Sequence, residues 1–153
     1  MSFPSIESDF QFLNHLVEEL SIKSSLSELQ DDDERVIKDV DIYGLRATSS
    51  EEHYLGEIGL SLQFACSKKG HAEEEIVIEL KIIGRFIASI ESMTTDDFKK
   101  MLLGNGTATL YSIARAIIST TTAQCMSSGQ VRIPMINVLK FLATTDDEPQ
   151  IEE

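Results

Sequence analysis

Two stretches of regular alternation anchor the hydrophobic pattern. From Tyr54 to Cys66, the residues Tyr54, Ile58, Leu60, Leu62, Phe64 and Cys66 share one parity, and Glu57, Ser61 and Gln63 share the other. From Ile76 to Glu91, Ile76, Ile78, Leu80, Ile82, Phe86, Ala88 and Ile90 alternate with Glu79, Lys81, Arg85 and Glu91. Such alternation puts one face of a strand on a core and the other in water. The charged loop Ser67 to Glu75, SKKGHAEEE, joins the two into a predicted β-hairpin. Gly84, inside the second strand, marks a bulge or a close backbone approach. Arg35 to Thr48 carries a weaker strand pattern, with Val36, Val40 and Ile42 on one parity and a break expected at Gly44. Asp9 to Lys23 fits two templates. Phe10, Phe12, Leu16, Leu20 and Ile22 alternate, while Phe10, Leu13, Leu16, Val17 and Leu20 also make a helical stripe, and periodicity leaves both open.

The period then changes. Leu110, Ile113, Ala114, Ile117, Ile118 and Thr121 recur at helical spacing within MLLGNGTATLYSIARAIISTTTAQCM, Met101 to Met126. The turn Gly104-Asn105-Gly106 is expected to open a helix over 106–126, about 30 Å long at 1.5 Å per residue. Asn105 or Thr107 is its expected N-cap, and Ser127-Ser128-Gly129 its end. Ser92 to Lys100 reads as a turn or short helix with Thr95-Asp96-Asp97 as cap. Val131 to Pro134 reads as extended, and Asn137 to Thr144 as a two-turn helix capped by Asn137. The long helix is apolar around more than one stripe. Tyr111 and Ile118 widen the arc, while Ala108, Ser112 and Ala116 keep one flank thin. A helix facing one sheet needs a narrower stripe, so self-association through this helix is expected, with a well-buried core helix as the alternative.

Length and composition bound the function. The chain has 153 residues, which fits one domain, and a formal net charge of −13 from 26 acidic and 13 basic residues. That balance argues against nucleic acid as partner. The acidic runs at Asp31-Asp32-Asp33-Glu34, Glu73-Glu74-Glu75 and from Asp146 read as solvated loops and a disordered tail, and residues 1–8 as a loose arm. The first residues, MSFPSIESDF, have no leader pattern, and no apolar run reaches the ~20 residues of a membrane span. A cytoplasmic protein without membrane insertion is expected. Cys66 and Cys125 are expected as buried free thiols. The histidines His15, His53 and His71 lack metal-ligand spacing, the glycine turn lacks the spacing of a phosphate-binding motif, and no Ser stands in a G-x-S-x-G context. No catalytic residues, metal site or cofactor are therefore expected.

Three runs carry a family resemblance: IGRFIASI (Ile83 to Ile90), MLLGNGTATLYSIARAIISTTTAQ (Met101 to Gln124) and VRIPMIN (Val131 to Asn137). Together they resemble the SecB family of export chaperones, with Leu110-Tyr111, Ala114-Arg115 and Ile118-Ser119 matching its helix core. Phe10-Gln11 and Leu20-Ser21-Ile22 resemble the family's first strand, which favours strand over helix for Asp9 to Lys23. The resemblance covers about residues 9 to 143. It implies an α+β fold: a four-stranded antiparallel sheet with a crossover connection between strands one and two, strand one beside strand four, then a long and a short helix.

The resemblance also implies function. Family members are homotetramers, dimers of dimers, that hold unfolded polypeptides in apolar grooves without ATP and deliver them to SecA. The grooves lie between sheet, crossover loop and last helix, which implies Leu26, Leu29, Ile136, Val138, Phe141 and Leu142 as client-groove candidates. The family's SecA-facing acidic patch maps to Glu19, Lys23, Val77 and Glu79, of which Glu19, Val77 and Glu79 suit the role and Lys23 reverses a charge. Leu110, Tyr111, Ala114 and Ile118 are the candidates for assembly through the helix. The chain departs from the family in its tail after Asp146, at Leu139-Lys140, and in lacking a Trp in the crossover region. Relatives dedicated to one client, such as an antitoxin, define the alternative reading. A scaffold protein using the acidic face, and a small-molecule binder or enzyme using the groove as a pocket, are further alternatives.

Overall fold

The computed structural model describes residues 8–25, 30, 33–125 and 131–144. Four strands, β1 (Phe10–Ser24), β2 (Glu34–Ser49), β3 (His53–Ser67) and β4 (Glu74–Ser89), form one antiparallel sheet in the order β1-β4-β3-β2. β1 and β2 thus occupy opposite edges, and the connection between them crosses two strands, about 14 Å at the usual strand spacing. The segment Asp9 to Lys23 is a strand, as the resemblance implied.

The hairpin of β3 and β4 pairs without a slip from His53↔Ser89 to Cys66↔Ile76. The inner face of these two strands is the core: Ile58, Leu60, Leu62, Phe64, Cys66, Ile76, Ile78, Leu80, Ile82 and Phe86 are all buried. Gly84 realises the close-approach alternative. A side chain there would meet Leu110 Cδ2 at 2.7 Å.

The edge strands depart from simple parity. β1 slips against β4 between Phe12 and Asn14 and again between Val17 and Glu19. Each bulge inserts one residue and flips the faces. Val17, opposite Ile82, therefore shares the inner side, while Leu16, opposite Ile83, points outward and is exposed. This corrects the expectation that Leu16 shares a face with Phe10 and Leu20. β2 slips between Ile37 and Asp39, so Val36 lies on the opposite face from Val40 and Ile42. The break expected at Gly44 is instead a bulge between Tyr43 and Arg46, with Gly44 at φ +60° and the strand continuing to Ser49. That left-handed conformation favours glycine.

The helical layer also corrects the sequence reading. Helix α1 (Thr95–Met101) runs through a π turn (Leu102–Gly106) directly into α2 (Thr107–Cys125). The glycine turn does not open the helix; it lies inside it. The N-cap is Thr94, whose side chain accepts from the Asp97 N–H, and not Asn105 or Thr107. The reason is burial. Leu102 and Phe98 are fully buried, and Gly106 lets the backbone come within van der Waals reach of Ile58 and Phe86. Two interior glycines cost roughly 1 kcal/mol each, less than such burial contributes. The wider π turn leaves carbonyls in need of donors, and Thr107 and Thr109 donate to the carbonyls of Leu103 and Asn105 at 2.5 and 2.8 Å.

Phe10, Phe86, Phe98 and Tyr54 form a stacked aromatic cluster where α1 meets the sheet. Cys66 is buried as expected, but Cys125 is exposed, because it sits on the last residue of α2 rather than over the sheet. The expected helix end at 127–129, the acidic tail and most of the arm lie outside the described residues.

Candidate polypeptide-binding surface

The helical rod covers the two middle strands and leaves the inner sides of both edge strands partly open. On β1 this exposes Phe12 and Leu20 at 39% and 37%, with Val17 and Ile22 half-buried between and below them. On β2, Ile37, Val40 and Ile42 are half-buried. Phe12 still touches the core: its ring centroid lies 5.4 Å from that of Phe86 and 6.1 Å from that of His15.

The chain beyond α2 adds a second apolar element. Residues 131–134 are tied to α2 by three of its side chains. The Tyr111 hydroxyl donates to the Pro134 carbonyl at 2.5 Å, Arg115 Nε to the Ile133 carbonyl at 2.8 Å, and Thr122 Oγ1 accepts from the Val131 N–H at 2.7 Å. Thr122 in turn donates to the Ile118 carbonyl, so its buried hydroxyl is satisfied in both senses. Val131 and Ile133 thereby enter the core. Burial pushes the Tyr111 phenol above its ordinary pKa, and the nearby Arg115 works against that shift. Sequence reading took Tyr111 as apolar arc and assembly candidate and Arg115 only as part of the helix-core resemblance, and gave Thr122 no role. Their polar groups inside an apolar helix were the available signal.

This strap delivers helix α3 (Val138–Thr144) back to the π turn. Asn137 caps it as expected, accepting from the Lys140 N–H at 3.0 Å. The groove candidates Ile136, Val138, Phe141 and Leu142 are all half-buried here, with Met135 and Leu139 exposed at 80% and 79% beside them. Leu26 and Leu29 lie outside the described residues. Leu110, Tyr111, Ala114 and Ile118 are buried within their own protomer against the sheet. Helical spacing puts Leu110, Ala114 and Ile118 on one side of α2, and Tyr111 reaches the strap. The outward side of α2 consists of Ala108, Ser112, Ala116 and Thr120.

The outer face of the sheet is different in character. Glu19 pairs with Lys81, Lys23 with Val77 and Ser21 with Glu79, so Glu19, Val77 and Glu79 share this face. Glu19 and Glu79 line a shallow depression of about 240 Å3 with Asp39, Ser61, Gln63 and Lys81. One hydrogen bond spans the whole face: Tyr43 of β2 donates to Glu18 of β1 at 2.6 Å. Its ring lies over Gly59, where a side chain would collide at 2.7 Å. Both residues stand at bulges, which aim them at one another. Burial first, and then the Glu18 carboxylate, push the Tyr43 phenol far above its ordinary pKa.

Neither a family model nor a curated protein matches the chain. Among solved structures, the chain is similar to the SecB-like chaperone Rv1957 of Mycobacterium tuberculosis, captured in complex with a ChAD peptide from the Rv1956 HigA1 antitoxin. The match covers 84% of this chain and 91% of that one, with a TM-score of 0.58 and 8% identity. The fold is that of a SecB-like chaperone. In SecB-like terms, the crossover places β1 beside β4, and α3 closes the layer that the long helix begins. No helix among the described residues is long and apolar enough to cross a membrane.

Proposed function

We propose that this protein holds extended or unfolded polypeptide segments by apolar burial, without nucleotide or catalytic chemistry. The observation that supports it is the exposure of Phe12, Leu20, Met135 and Leu139 around the helical layer of a SecB-like fold. Bound side chains would be stabilised by roughly 25 cal/mol per Å2 of apolar area, before ordering costs. Little sequence selectivity and weak salt dependence are therefore expected. The test is suppression of aggregation of an unrelated unfolded protein. Wild type should suppress it, and Phe141→Asp and Leu139→Asp should each weaken the effect; a wild type with no activity sinks the proposal.

A dedicated client is the second reading, favoured by the antitoxin peptide bound to the structural neighbour. A single high-affinity partner recovered from the native host, with no activity on unrelated chains, would select it. Export coupling rests on the outer face, where Glu19, Val77 and Glu79 would meet SecA in the cytoplasm. Binding of purified SecA should weaken with salt and with Glu79→Lys. Assembly into a homo-oligomer is proposed through the free edge of β1. Residues 10–17 of that edge carry no Asp, Glu, Lys or Arg, whereas β2 is charged along its length. Light scattering of wild type against Leu16→Lys tests it, with a monomeric wild type counting against it.

A further inference from the structure

Apolar holding makes no use of the cationic side of the helical layer. From residue 98 to residue 145 the sequence has five Lys and Arg and no Asp or Glu, in a chain that carries 26 acids against 13 bases. Within that stretch, Arg115 and Arg132 line one open cavity of about 440 Å3 together with Ser112, Ala116, Ser119 and Ile133. Among the described residues no carboxylate lines it. Arg115 is the sole charged residue of α2, and its bond to the Ile133 carbonyl holds the guanidinium between the helix and the 131–134 strap. That bond uses one of five N–H donors. Guanidinium forks with flanking hydroxyls are a donor set for an oxyanion, and a planar carboxylate suits the fork.

We propose that this cavity is a carboxylate subsite, taking an Asp or Glu side chain of a bound polypeptide segment. The inference rests on the polypeptide-holding reading and adds a preference to it. Charge complementarity selects an acidic occupant. The apolar surroundings select a peptide over a free ion. Arg132 and the exposed Met135 are three residues apart, at most about 11 Å of chain. A segment with an acidic residue near an apolar one engages both, whereas a lone phosphate leaves Met135 and Leu139 unused.

The test is fluorescence anisotropy with the full-length protein and two labelled peptides, one apolar with two Asp residues and one with Asn in their place. The Asp peptide should bind about tenfold more tightly at low salt, the scale of one or two charge-assisted hydrogen bonds. The advantage should vanish at high salt, in Arg132→Gln and in Ser112→Glu, while the Asn peptide binds all forms alike. Arg115→Gln also removes a strap bond, so the exposed Ser112 position, with Ser112→Gln as size control, decides the matter. Equal binding of both peptides to wild type overturns the subsite and leaves polypeptide holding intact. Binding of neither overturns both. Inorganic phosphate binding to wild type without displacing the Asp peptide's advantage, or dissociation of an oligomer by Ser112→Glu, would also overturn the assignment.

Discussion

Every second residue of β3 from Ile58 to Cys66, and of β4 from Ile76 to Ala88, is buried, whereas β1 and β2 leave Phe12, Leu16, Leu20 and Val36 between 37% and 63% exposed. Both pairs of strands belong to one sheet. The middle strands have a ladder on each side and the helical rod above them, so a bulge there would disrupt two ladders at once. The edge strands each have one ladder, and they carry four of the five slips, the fifth lying at the loop end of the hairpin, between Cys66 and Ser67. Phe10, Leu45 and Ala47 are covered where α1 meets the sheet, but the rest of the edge strands' inner sides lies beyond the reach of the helical rod. The middle strands therefore build the fold, and the edges, with the strap and α3, keep apolar surface exposed.

The most direct way to break this comparison is to truncate one phenylalanine in each region. Phe64→Ala should cost about 3–5 kcal/mol in urea denaturation, because Phe64 is fully buried. Phe12→Ala should cost about 1 kcal/mol yet weaken aggregation suppression. Equal stability costs would abolish the distinction between core and working surface.

The strap supplies the next test. Thr122→Val leaves the Val131 N–H without its acceptor, at about 1–3 kcal/mol. Hydrogen exchange at Val131 should accelerate ahead of the β3 and β4 amides. On the outer face, Gly59→Ala meets the Tyr43 ring and its backbone carbonyl, while Gly84→Ala meets the movable end of Leu110. The first should cost about 1–3 kcal/mol and release the Tyr43–Glu18 bond; the second should cost less. Melting temperatures of the two variants rank them.

Smaller effects follow from ionisation. Burial pushes the Cys66 thiol up to about 11, against an ordinary 9.0. The unfolded chain therefore loses this proton first, and the contribution to stability is complete below pH 9 and declines as pH rises toward 11. Native protein at pH 8 should accordingly alkylate at the exposed Cys125 and spare Cys66 until denatured. Smallest of all, Arg85→Gln removes the 2.9 Å pair with Glu57 on the outer face. A change within about 1 kcal/mol is expected for an exposed pair, and a larger one would show that the outer face of the middle strands matters to the fold as their inner face does.

The hairpin, the α3 cap at Asn137 and the helical stripe at Leu110, Ala114 and Ile118 were legible because each is a local period matched to a local geometry. The slip at Val17 was not legible, since one inserted residue reverses every face downstream and only pairing with β4 locates it. The π turn was misread as a helix start for the same reason. Gly104 and Gly106 look like a breaker until Ile58 and Phe86 are seen packed beneath Gly106. Of the candidate surface, the resemblance named Ile136, Val138, Phe141 and Leu142, which are half-buried, whereas the exposed Phe12 and Met135 were not named, because exposure is a property of what covers a residue.

The sequence by itself determined the class of the fold, the buried hairpin and the absence of a recognisable catalytic motif. The hairpin and the motif reading follow from side-chain periodicity and residue chemistry, which act over a few residues, and the class of the fold from these together with the family resemblance. The tertiary structure decided the continuity of the long helix, the parity of the edge strands, the strap held by Tyr111, Arg115 and Thr122, and the meeting of Arg115 with Arg132. Those features depend on contacts between residues distant in sequence, whose energies favour an arrangement that no local pattern encodes.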